Sequence, residues 1–131
     1  MKNERNDLLI KLRPLLKNSN TLDNTNQLEA FQNSTLRPII KFQHELLILV
    51  IRTYLINNKF DIENSTVEKL SNFISTAIKN DKQLNLQVVH TVSGFFTREE
   101  FEYYTQNKKG IHKRIIQICI ERTLTNLEQL K

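Results

Sequence analysis

Glycine and proline are almost missing from this chain, which has only two of each in 131 residues. A β-sandwich or barrel turns about every 8–12 residues, and its turns draw heavily on Gly, Pro and Asp. Such a fold cannot be supplied here, so composition alone points to helices. Cysteine is scarce too: Cys119 stands alone and cannot form an internal disulfide. The stretch from Met1 to Asp7 is polar and lacks the apolar centre of a secretory signal. Together these features imply a protein of the reducing cytoplasm. Long apolar runs are also absent. The longest, Leu46 to Ile51, lies between Glu45 and Arg52 and falls far short of the roughly 20 residues that span a bilayer. No membrane partner is expected.

The sequence also lacks the strings that usually carry chemistry. Gly94 and Gly110 are isolated, which excludes a Gly-rich phosphate loop. A helical metal site needs His or carboxylate pairs at i, i+3 or i+4. His44, His90 and His112 are instead preceded at i−3 by Lys41, Gln87 and Lys109. No metal, cofactor or catalytic residue is therefore assigned, and the chain reads more readily as a binding protein than as an enzyme. Cys119 shares its helical face with Ile115, Ile116 and Thr123, the setting of a small core residue. The pair Glu99–Glu100 falls in the first turn of a helix, where capping and the helix dipole explain it.

What is present is an ordinary globular composition, 39% hydrophobic and 25% charged. One domain over residues 1–131 is expected. Apolar positions recur at helical spacing along most of the chain. Leu8, Leu9, Leu12, Leu15 and Leu16 define a first helix with a kink or restart at Pro14. A loop follows from Lys17 to Asn26, and then a short helix over 27–33 carries Leu28 and Phe31 inward. Pro38 opens a long helix to Asn57, because proline fits a first helical turn and disrupts an interior. Its apolar arc (Ile39, Ile40, Leu46, Leu47, Val50, Ile51, Tyr54, Leu55) is wide enough to suggest a central element with several neighbours. Ser65 with Glu68, and Thr97 with Glu100, read as capping boxes. Further helices follow over 67–80, 84–94, 98–107 and 109–129. The expected fold is all-α, a bundle of about six helices around the central helix 38–57.

Three places invite a functional reading. His44 lies within the apolar arc and could line a pocket together with Tyr54, which would suit a small-molecule binder or an enzyme. Lys108, Lys109, Lys113 and Arg114 crowd the start of the last helix, where the helix dipole opposes positive charge. Such a cluster can bind an anion, including the phosphates of nucleic acid, although a solvated face is the commoner meaning. The abundant apolar helix surface, with no catalytic constellation, favours a non-enzymatic interaction module, with a homodimer as one form it can take. The net charge of +5 at a pI near 9.4 is mild and spread along the chain.

Three strings, Thr35–Gln43 (TLRPIIKFQ), Gly94–Tyr104 (GFFTREEFEYY) and Lys113–Ile116 (KRII), resemble those of a group of short helical bacterial proteins without an established activity. The resemblance implies a helical fold over most of the chain and no catalytic residues, since its motifs are a Pro restart, a capping box and core aromatics. Some members carry a glyoxalase label. A glyoxalase I enzyme is built from βαβββ modules with metal ligands on strands, and this sequence offers neither.

Overall fold

Five of the helices begin where a short polar side chain takes a free backbone N–H. In the computed structural model, which describes residues 3–13 and 26–131, Asn3 caps α1 (Glu4–Leu12) and Asn26 caps α2 (Gln27–Phe31). The chain continues through a π-helical turn, Gln32–Leu36, into α3 (Arg37–Phe42) and α4 (His44–Asn57). Thr66 caps α5 (Val67–Asn80), Asp81 caps α6 (Lys82–Ser93) and Thr97 caps α7 (Arg98–Gln106). The last long helix, α8 (Lys108–Leu124), has no side-chain cap, and a 3-10 turn over Leu127–Leu130 follows it. Among the described residues there is no strand. The kink expected at Pro14 and the loop expected over 17–25 lie outside the described residues.

Several local expectations are corrected. The expected helix 38–57 is present in two pieces, broken at Gln43. Pro38 does fall in the first turn of a new α-helix, α3, as its chemistry requires. The wider π turn ahead of it, closed by Arg37 N–H donating to Gln32 O, carries the chain into the proline, which lacks the donor an α-helix would need. The second capping box survives, with Thr97 and Glu100 bonded reciprocally. The first does not: Thr66, one residue later, takes the Lys69 N–H at 3.1 Å, and Ser65 donates instead to Asp61 O. Helix α4 stops because Lys59 adopts a left-handed φ of 56°. That turn lets Phe60 N–H reach back to Leu55 O at 2.9 Å, closing the helix end.

Helix α8 buries Ile111, Ile115, Ile116, Ile118, Cys119, Ile120 and Thr123. It packs on α5, α6, α7 and the π turn, while α4 packs on α3, α6 and the C-terminal turn. Phe96 sits deep in the aromatic corner, edge-on to Phe31 and Tyr104 at 5.6 Å each. The aromatic left exposed there is Phe101.

Helix α1 departs most from its sequence pattern, burying no residue and leaving Leu8 and Leu12 exposed. Polar bonds hold it. Arg5 donates to Phe96 O (2.9 Å) and Gly94 O (3.1 Å), carbonyls at and just beyond the C-terminal end of α6. Asn6 donates to Glu99 and accepts from Arg98 N–H. Arg13 then forks onto Glu100, Nη1 to Oε2 at 2.7 Å and Nη2 to Oε1 at 2.6 Å, and also reaches Phe95 O at 2.9 Å.

Candidate functional site

The most unusual surface belongs to α4, whose apolar residues occupy two opposite faces. Leu47, Ile48, Val50, Ile51 and Leu55 are buried in the core. On the other side Leu46 (46%), Leu49 (49%) and Ile56 (50%) remain exposed, continued backwards by Phe42 (41%). With Thr53 they follow the 4-3-4-3 spacing that lines one face of a helix over successive turns. Of the arc read from sequence only Leu46 faces solvent; Leu49, Ile56 and Phe42 add an apolar face that the arc did not include. Leu46, taken there as an inward residue, is on this outer face.

The stripe borders a groove of about 520 Å³. One wall is α4, through Leu46, Leu49, Thr53 and Tyr54; the other is α6, through Leu84 and Gln87. Tyr54 donates its hydroxyl to Asp81 Oδ2 at 2.9 Å, while Asp81 Oδ1 takes the Leu84 N–H. Backbone N–H of Leu84, and then the Tyr54 hydroxyl, hold the Asp81 carboxyl below its usual value. Burial and the neighbouring Asp81 raise the Tyr54 phenol above its own. The pair is a structural contact that joins α4 to the start of α6 beside the groove.

The two residues expected to share a pocket are not brought together. His44 is at the start of α4 and Tyr54 three turns later; the groove that Tyr54 lines does not include His44. His44 has both ring nitrogens engaged. Nδ1 accepts from Arg122 Nε at 2.8 Å, so the proton sits on Nε2, which donates to Gln129 Oε1 at 2.7 Å. Gln129 is oriented in turn by Asn126. His44 therefore fastens the C-terminal turn to α4.

The basic cluster is brought together only in part. Lys108, Lys109 and Lys113 are exposed on the first turns of α8 beside a half-buried His112. Arg114 turns away to donate to Gln32 Oε1 at 2.8 Å, tying α8 to the π turn. His112 Nε2 lies 2.6 Å from Asn85 Oδ1 on α6. Burial, then the charges of Lys108 and His90, hold the His112 imidazole below its ordinary value. Lys79 of α5 joins the same surface, sharing a groove with Asn85, His112 and Lys113.

Cys119 is buried in the core, which pushes its thiol up to about 12. Among the described residues no three His, Cys, Asp or Glu side chains converge as metal ligands would. Nor is any described helix long and apolar enough to cross a membrane. No protein-family model, curated protein or solved structure matches this chain.

Sequence reasoning missed the Arg13–Glu100 pair, since nothing local links residues so far apart. It also missed the second face of α4, for which the alternation of Leu46 and Leu49 with Leu47 and Ile48 was the available signal.

Proposed function

We propose that this chain is a non-enzymatic, cytoplasmic interaction module that forms a homodimer through the outer face of α4. The observation that carries the reading is the exposed stripe Leu46, Leu49, Thr53 and Ile56 on α4, continued by Phe42 at the end of α3, on a helix whose opposite face is already satisfied by the core. An apolar stripe beside a groove is the usual seat of a partner helix.

The flanking charges favour a second copy of the same helix. Glu45 and Arg52 lie two turns apart on one flank of the stripe, which is centred on Leu49. An antiparallel pair related by a two-fold axis near Leu49 sets like flanks side by side. Glu45 of one copy then faces Arg52 of the other, and the reverse pair forms by symmetry. Arg52 uses Nε on Leu130 O, which leaves its terminal nitrogens for that contact. A parallel pair would bring this flank against the opposite one, where Asn57 offers no charge. The free thiol of Cys119 suits the reducing compartment in which such a dimer would work.

Light scattering coupled to size-exclusion chromatography tests the reading. The wild-type chain should elute as a dimer, and Leu46→Lys with Leu49→Lys as a monomer of unchanged helical circular dichroism. Glu45→Arg should weaken the dimer and the exchange Glu45→Arg with Arg52→Glu should restore it. A wild-type chain that stays monomeric at high concentration overturns the proposal.

A further inference from the structure

A second surface is set by charge. No Asp or Glu occurs from Lys82 through Arg98, or from Tyr103 through Ile120. The fold packs these two acid-free stretches together as α6 and the greater part of α8, pinned by the contact of Asn85 with His112. Lys79, at the end of α5, adds its charge where the two helices meet. The result is a patch of Lys79, Lys108, Lys109 and Lys113, none of which has an ion-pair partner among the described residues. The consecutive helices α5 and α6 and the distant α8 contribute to it, so it extends beyond the run visible at 108–114.

We infer that this α5–α6–α8 surface binds double-stranded nucleic acid through its phosphate backbone, without reading sequence. Lysines at i and i+4, here Lys109 and Lys113, stand about 5–6 Å apart on one helix face, a spacing on the scale of neighbouring backbone phosphates. The amides of Asn85 and Gln117 border the same groove, and Glu121, two turns of α8 beyond Lys113, is the acid that lines its other end; Asn and Gln are common partners of phosphate and sugar oxygens. A single strand is the weaker fit: base stacking needs exposed aromatic rings, and the ring that lines this groove, His112, is half-buried and held against Asn85. A lipid surface is also disfavoured. Ile116 and Ile120, the apolar residues of the groove, are buried, which leaves no apolar edge to enter a bilayer.

The test is fluorescence anisotropy of a short labelled DNA duplex of random sequence, titrated with the intact chain at several salt concentrations. Binding should appear at low salt and weaken with a slope of log K against log salt of about −3 to −4, as four phosphate contacts require. Lys108→Gln, Lys109→Gln and Lys113→Gln together should abolish it. A control with Lys41→Gln, Lys69→Gln and Lys131→Gln, which removes the same charge elsewhere, should leave it nearly intact. Absence of duplex binding at low salt overturns the inference. So does equal loss in the control, which would make net charge the cause, or lysine-dependent capture of phosphatidylserine vesicles without duplex binding.

Discussion

Arg13 and Glu100 meet as a two-pronged ion pair across 87 residues of chain, with side chains only 8% and 17% exposed. Glu100 also serves as the cap partner of Thr97 N–H at 2.8 Å and accepts from Thr35 at 3.2 Å. One carboxylate thus joins α1, the π turn and the start of α7.

The pair predicts a defined acid response. Burial pushes the Glu100 carboxyl up, but Arg13, the Thr97 N–H and Thr35 together outweigh it and hold the group below its ordinary value of 4.5. A depressed folded-state value means the stabilisation is complete above 4.5 and is lost as pH falls from there through the group's own lower value. Urea melts against pH should show this loss, and Glu100→Gln should remove much of the slope. At neutral pH Glu100→Ala should destabilise by about 3 kcal/mol, because it strands a buried guanidinium.

Lys59 gives a prediction of opposite sign. A side chain held at φ 56° carries a left-handed penalty of about 1–2 kcal/mol that glycine escapes. Part of that gain is offset by glycine's greater freedom in the unfolded chain. Lys59→Gly should therefore stabilise by about 0.5–1 kcal/mol in thermal or urea unfolding. A destabilised variant would mean that the Lys59 side chain makes a contact worth more than the strain.

Cys119 should be inert while the protein is folded. A thiol pushed up to about 12 and buried in the core supplies almost no thiolate at neutral pH. Reaction with a disulfide reagent should be slow in buffer and fast in denaturant. Rapid labelling of the native chain would contradict the burial.

The helices were legible because their signals are local. Thr97 and Glu100 are neighbours on one turn, and the spacing of Ile115, Cys119 and Thr123 marks an inward face. The cap at Thr66 was misplaced by one residue because Ser65 and Thr66 are both competent caps, and Ser65 is taken by Asp61 O. Leu8 and Leu12 show the opposite limit. Their spacing reports a face, but not whether any neighbour covers it, and Arg5, Asn6 and Arg13 hold α1 by polar bonds instead. His44 and Tyr54 share a helix, yet the partners that decide their roles, Gln129 and Asp81, come from elsewhere in the chain. The lysines of α8 were visible as a run. Lys79 joined them only once α5, α6 and α8 were packed.

Self-association of α4 is tested most directly by cysteine cross-linking in a Cys119→Ala background. Leu49→Cys lies near the proposed two-fold axis, so two copies should join through it on mild oxidation. Ile56→Cys lies two turns away, and in an antiparallel pair its two copies are roughly 20 Å apart by helix rise. A covalent dimer from Leu49→Cys and none from Ile56→Cys is the expected result. Cross-linking at both positions would indicate a parallel pair, and at neither would contradict a dimer through this face.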